Sequence, residues 1–329
     1  MSSGRRPYTI HGLPLARGLG DLASQTAVSH RTLWSLIGGL RAYTTFELAK
    51  KSGGFRKIAK PTRVLKRIQR WILRNILSGL HVTLHCYGFE KGSRLRDHAE
   101  QHIGALAVLT LDVEDFFPSI GISRIVRIFR TAGYARSVAW MLARLCTWNG
   151  VLPQGGPCSS KLANLVCYRM DLRLSAFASA RGFVYTRYAD DLTFSCESMS
   201  LLAKARPFIA HIIADSGFVL NVDKARLIGP SGAKIITGLV LAPESVGVGR
   251  RRLRELRVRI HRAHVQGDAN SLSSIQGWLD YVSDTDAPRY EMLVAYIGRL
   301  QSGMPSPLAL LRLRPRGGGR GVADTAAPE

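Results

Sequence analysis

The sequence is poor in acids. Twenty-three Asp and Glu stand against 46 Lys and Arg, a formal charge of +23 over 329 residues. An excess of that size calls for a polyanionic partner, and nucleic acid is the natural one. A membrane-surface protein would also be basic, but its helices would need a Trp- or Phe-rich apolar face, which the basic segments lack. Cysteine is scarce too. Its five copies, Cys86, Cys146, Cys158, Cys167 and Cys196, form no Cys-x-x-Cys pair, so neither a zinc site nor a disulfide framework is indicated and a reducing cytoplasm suits the chain. No apolar run is long enough to span a bilayer, the N-terminal stretch has no apolar signal core, and no segment repeats. What is plentiful is apolar surface: 46% of residues are hydrophobic, enough for a globular chain of two or three subdomains.

One stretch organises the rest, Val184 to Ser195. Apolar and β-branched residues flank Ala189-Asp190 on both sides, which predicts two short strands joined by a tight turn. Such a hairpin holds Asp190 and Asp191 together at a strand tip. Two carboxylates that close repel, and one would ordinarily keep its proton. A divalent cation removes the conflict. The stretch is therefore either a metal site for nucleotidyl chemistry or a solvated Asp-Asp turn, and the remaining chain must decide.

Residues 1–20, rich in Gly, Arg and Pro, predict little order, and 21–40 predict a packing pair of helices rather than a helix-turn-helix, since no basic recognition face is present. Tyr43 to Pro61 predicts a β-hairpin around Ser52-Gly53-Gly54. Lys50, Lys51 and Arg56 flank its turn, as cations for a triphosphate or as a solvated basic rim. Residues 62–80 predict an amphipathic helix whose stripe is Val64, Leu65, Ile68, Ile72, Ile76 and Leu80. His98 and His102, four apart with no third ligand nearby, read as structural. Ala105 to Val113 is a buried strand that ends in Asp112, and an acid there is costly unless used. Helices are expected over 123–132, 135–147, 160–180 and 199–215, with the Gly/Pro loop Leu152 to Ser160 ahead of the third. Ile235 to Leu241 reads as one further strand. Residues 249–265 form a basic helix with the stripe Leu253, Leu256 and Ile260. Two more helices follow, near 270–284 and 288–301, and then a disordered tail after Leu313.

The order of these pieces is specific. A basic hairpin precedes Asp112-x-x-x-Phe116-Phe117, then Leu152-Pro153-Gln154-Gly155-Gly156, Tyr188-Ala189-Asp190-Asp191, Gly217-x-x-Leu220-Asn221 with Lys224, and Ile236-Thr237-Gly238. Over about residues 40–245 the chain resembles the reverse transcriptases, and among them the bacterial retron type. Lys50 to Ile58 is similar to the retron fingers segment. Lys91-Gly92, with Ala99 and His102, is similar to a Lys-Gly…Asn-Ala-x-x-His signature, from which Asp97-His98 departs at the Asn. Ile236-Thr237-Gly238 stands where that family usually has Val-Thr-Gly. Group II intron enzymes share the palm but carry long extensions for which this chain has no room, and diversity-generating enzymes usually replace the Pro-Gln-Gly loop.

The resemblance implies an α+β right-hand polymerase fold with an antiparallel palm sheet, α/β fingers and a helical thumb. The expected boundaries are a helical extension at 1–42, fingers at 43–105, palm at 106–245 with a fingers portion near 120–160, thumb at 246–313 and a basic tail at 314–329. It implies that Asp112, Asp190 and Asp191, with the Val113 backbone, hold two Mg²⁺ ions, Mn²⁺ being possible. Lys50 or Lys51 and Arg56 would hold a dNTP triphosphate, Gln154 would lie against the nucleotide sugar, and Phe117 would block a ribose 2′-OH or simply pack. Lys224 would protonate pyrophosphate or be a surface lysine. Arg250, Arg254, Arg257 and Arg262 would face the RNA–DNA hybrid. Retron enzymes copy part of a structured noncoding RNA, priming from an internal guanosine 2′-OH, and commonly serve antiphage defence with an effector protein. The rivals are another defence or group II-like reverse transcriptase, a catalytically idle RNA-binding fold and an RNA polymerase. The last would show Gly-Asp-Asp and a small or polar residue at 117. The idle fold would have lost a metal carboxylate, and all three are kept.

Overall fold

The computed structural model describes residues 12–39, 42–49, 53–302 and 306–313. In chain order the elements are α1 (Leu19–Thr26), α2 (His30–Ile37), β1 (Tyr43–Ala49), β2 (Phe55–Pro61), α3 (Arg63–Asn75), α4 (Leu95–Glu100), β3 (Ala107–Val113), α5 (Ile122–Thr131) and α6 (Arg136–Cys146). They continue with α7 (Ser159–Val166), α8 (Tyr168–Ser179), β4 (Val184–Tyr188), β5 (Asp191–Cys196), α9 (Met199–Asp215) and β6 (Leu220–Ile228). Last come β7 (Ile235–Ile236), β8 (Leu239–Leu241), β9 (Val246–Gly247), α10 (Arg250–Gln266), α11 (Leu272–Thr285) and α12 (Ala287–Gln301). Two compact units result. One holds residues 1–86, 113–174 and 210–221, the other 87–112, 175–209 and 222–329.

The first unit is mainly helical, with the antiparallel β1–β2 hairpin at its side. The two helices of 21–40 form as expected, and Ser29 caps α2 by accepting a hydrogen bond from the Thr32 amide. Leu22, Leu33 and Ile37 are buried, which is the packing role expected of this pair. In α3 the stripe is Leu65, Ile68 and Ile72, extended by Ile76 beyond the helix end. Val64 sits outside it and is exposed, while Gln69 is buried within it. The Gln69 amide is satisfied there, donating to the Tyr43 hydroxyl and the Leu145 carbonyl at 2.8 Å each. The single helix expected over 160–180 is two, α7 and α8, joined at the buried Cys167.

The second unit carries the antiparallel palm sheet, in strand order β4-β5-β3-β6. β5 pairs with β4 on one side and β3 on the other, so Asp112 lies directly across from Asp191. β3 is buried almost throughout, which is why its residues read as a continuous apolar run. The expected strand 235–241 is instead two strands, β7 and β8, folded back at Thr237-Gly238. Both turn residues have positive φ, 45° and 89°, the pairing a two-residue hairpin turn requires. Helices α10, α11 and α12 bury Leu253, Leu256, Ile260, Ile275, Leu279, Leu293 and Ile297 in one core with Ile236, Leu239 and Val246. Each such side chain contributes roughly 1.5–3 kcal/mol. Among the described residues no helix is long and apolar enough to cross a membrane.

Candidate active site

The hairpin β4–β5 brings its acids to the sheet end, as the tight turn between two strands predicts. Tyr188 pairs with Asp191, leaving Ala189 and Asp190 as the turn. Ala189 takes a φ of 55°, a left-handed conformation that a buried alanine holds only against support. The support is visible. Arg187, fully buried, donates from Nη1 to the Ala189 carbonyl at 2.9 Å. The Tyr87 amide donates to the Arg187 carbonyl at 2.8 Å. Gly88 then lies against the turn so closely that a Cβ there would stand 2.6 Å from the Ala189 nitrogen. Only glycine fits at 88.

Two histidines complete the brace. His102 is buried, with Nδ1 2.7 Å from the Ser195 hydroxyl on β5 and Nε2 2.6 Å from the Thr186 hydroxyl on β4. It ties the two strands of the hairpin together. His98, also buried, packs at 5.8 Å against the ring of Tyr188 and 5.7 Å against Tyr87. Its Nδ1 is 3.5 Å from the Thr237 hydroxyl in the β7–β8 turn. Burial pushes His102 down to about 3, and burial together with the His102 ring pushes His98 down to about 3, so both are neutral at physiological pH. The expectation of structural histidines holds. Arg187 and Gly88 escaped sequence reading, because both owe their place to a tertiary contact.

The acids themselves are electrostatically strained. Burial raises Asp191 to about 7, with the charges of Asp190 and Asp112 adding to it and Lys224 opposing. Lys224, on β6, pairs with Asp112 at 2.9 Å, and that hydrogen bond raises its own pKa. The donor set is all hard oxygen, which suits a hard divalent cation rather than zinc. Among the described residues no three His, Cys, Asp or Glu side chains stand close enough to grip an ion as they lie, the Lys224 ammonium being seated on Asp112. A carboxylate cluster whose charges repel one another and that borrows an ammonium is chemically matched to a divalent cation, which would relieve the repulsion and displace the ammonium.

The other expected site residues divide by unit. Val113, Arg56, Phe117 and Gln154 belong to the first. Arg56 is exposed on β2, and Phe117 is half-buried, 5.4 Å from the ring of Phe116. The Gln154 carbonyl accepts from the Ala59 amide at 2.9 Å, which seats the Pro-Gln-Gly loop on β2. Gly155, at φ 112°, makes that approach possible, since a Cβ would come within 3.1 Å of Ile58. Lys50 and Lys51 lie outside the described residues. In the second unit Arg250, Arg254, Arg257 and Arg262 are brought together. They line one groove of about 780 Å³ with Arg289, Tyr296 and Arg299 of α12. Arg257 stacks over Tyr296 at 4.7 Å. Arg252 is turned elsewhere, donating to the Gly238 carbonyl.

An antiparallel sheet presenting three aspartates at one end, with a glycine-dependent loop and a helical thumb, defines a palm-type nucleotidyltransferase. The family model for reverse transcriptase (RNA-dependent DNA polymerase) matches residues 48–239. Retron Ec86 reverse transcriptase of Escherichia coli is 39% identical over 294 residues, covering 88% of this chain and 91% of that one. Retron Mx65 reverse transcriptase of Myxococcus xanthus is 33% identical, covering 86% and 72%. A telomerase from Candida albicans, solved with a fragment of telomeric RNA, matches in fold at TM-score 0.52 and 12% identity, covering 82% of this chain and 56% of that one. The chain belongs to the bacterial retron reverse transcriptases and is an RNA-directed DNA polymerase.

Proposed function

We propose that this enzyme copies part of a structured noncoding RNA into DNA by two-metal nucleotidyl transfer, in the cytoplasm, as part of an antiphage system with an effector protein. The cross-strand pair Asp112–Asp191, with Asp190 at the adjoining turn, carries the reading. Asp112, Asp190, Asp191 and the Val113 carbonyl would hold the divalent ions. Bound there, they would make the primer hydroxyl a better nucleophile and neutralise charge on the departing pyrophosphate. The chain's own groups do the rest. Arg187, Gly88 and His102 keep the carboxylates in place, so little reorganisation is needed at the reacting centre. Lys224, freed from Asp112, becomes a proton source for pyrophosphate. Lys50, Lys51 and Arg56 take the triphosphate, Gln154 the sugar, and the Phe117 ring excludes a ribose 2′-OH. The α10 arginines face the hybrid duplex, whose A-like shallow groove offers phosphates and 2′-hydroxyls rather than a base code. Residues 43–105, 106–245 and 246–313 serve as fingers, palm and thumb.

The test is Asp190→Asn. Template–primer extension should vanish while RNA affinity stays within about twofold, because a carboxylate is lost and the basic surface is untouched. Mg²⁺-dependent extension at the wild-type rate would overturn the assignment.

A further inference from the structure

The first unit contains a second basic concavity that the polymerase reading does not use. It measures about 940 Å³, within the range of built ligand sites. Its cationic groups are Arg124 and Arg127 on α5, and Arg169 and Arg173 on α8, with His81 beside them. Asp215 is the single carboxylate among its lining residues, and it is already spent on Arg173. The floor is apolar: Leu80, Ile128, Leu165 and Val166 are half-buried there. Tyr168 is 41% exposed, and Arg127 and Arg169 are exposed as well.

The wall is preorganised. Arg124 donates to the Ser216 carbonyl at 2.9 Å and lies over the Phe218 ring at 4.4 Å. Phe218 in turn packs on Phe116 at 5.8 Å. Burial lowers the Arg124 pKa, and the like charge of Arg127 adds a little to that. Four arginines against one aspartate leave the cleft clearly positive.

We propose that this cleft binds a single-stranded polynucleotide, with phosphates on Arg127 and Arg169 and a base on Tyr168 over the apolar floor. The combination decides the class of ligand. A duplex hides its base faces and would use only the guanidiniums. A free phosphate would leave the ring and the floor idle. Single strands use both, since any base stacks on an aromatic ring while the backbone tracks cations. An acidic protein segment would also meet the arginines, and it is the alternative that the experiment must separate. The proposal rests on the polymerase reading only in that an enzyme copying RNA into DNA generates unpaired RNA and DNA beside its duplex.

The experiment uses the full chain, first saturated with a template–primer hairpin, and then titrated with fluorescent 12-mer oligo(U) or oligo(dT) at 50–200 mM salt. The two oligonucleotides separate an RNA segment from a DNA one. Arg127→Gln with Arg169→Gln should weaken the tighter of the two at least tenfold at 50 mM salt. The slope of log affinity against log salt should fall by about 1.4, two contacts at ~0.7 each. Tyr168→Ala should weaken binding about fivefold or more, and Tyr168→Phe should restore it. Hairpin extension should continue at the wild-type rate in all variants, which shows them folded and separates this cleft from the carboxylate site. The proposal is overturned if no oligonucleotide binds the hairpin-loaded enzyme, or if the variants bind it as the wild type does. It is overturned equally if oligo-glutamate of matched charge displaces the oligonucleotide at the same concentration.

Discussion

His102→Ala tests the hairpin brace most directly. The substitution leaves the hydroxyls of Thr186 and Ser195 without the imidazole that joins them, and both residues are at most 2% exposed. A buried polar group left unsatisfied costs about 1–3 kcal/mol, so the pair costs about 2–6, with a cavity term added. That is a large part of the 5–15 kcal/mol typical of a whole domain. The combined variant His102→Leu, Thr186→Val, Ser195→Ala removes donor and acceptors together and should recover most of the loss. pH supplies a second reading. An unfolded histidine titrates near 6.5, whereas His98 and His102 are depressed to about 3. A depressed base contributes stability that is full above 6.5 and is lost as pH falls toward 3. The slope is about 1.4 kcal/mol per pH unit for each histidine, and His102→Ala should roughly halve it. Activity should fall too, since a strand tip displaced by about 1 Å costs on the order of a hundredfold in rate. Urea unfolding at several pH values, with single-nucleotide extension at saturating substrate, measures all three. A loss under 1 kcal/mol, or a triple variant no better than the single one, would refute the clamp.

Three further outcomes are expected. Asp191, raised to about 7, should hold a proton in the metal-free enzyme at lower pH, so divalent affinity should drop about tenfold per unit below 7. Calorimetry in buffers of different ionisation enthalpy should then show proton release on Mg²⁺ binding near pH 6.5 and little at pH 8.5. A raised acid favours the fold below its unfolded pKa, and that contribution fades as pH rises through 7, so Asp191→Asn should stabilise the metal-free protein at pH 8 while abolishing synthesis. Phe117→Ala should raise the ratio of ribonucleotide to deoxyribonucleotide incorporation by about tenfold or more. An unchanged ratio would leave Phe117 with packing alone.

The palm hairpin was legible because apolar and β-branched residues flank its acids on both sides, and β3 because a strand covered on both faces reads as unbroken apolar residues. The stripe of α10 was legible for the same kind of reason, with Leu253, Leu256 and Ile260 at helical spacing. Thr237-Gly238 was missed because Ile235, Ile236, Leu239 and Val240 make the stretch look continuous, and a turn of two residues barely interrupts it. Val64 was misplaced because an apolar residue beside a stripe looks like part of it. Arg187 and Gly88 were invisible for a different cause. A fully buried guanidinium is unexpected of any arginine, and the need for glycine at 88 arises from Ala189, about a hundred residues further along.

That contact at Gly88 also bears on motion. A turn whose nitrogen would stand 2.6 Å from any added Cβ has no slack on that side. Arg187 fixes its carbonyl, and His102 ties its two strands. Local opening here would have to break several buried hydrogen bonds at once, which places the hairpin at the slow-exchanging end of the molecule. Polymerisation nevertheless demands a step of one nucleotide per cycle. If the proposed site is right, the hairpin works as an anvil: translocation would be executed by the nucleic acid and the segments that grip it, over a tip that stays still.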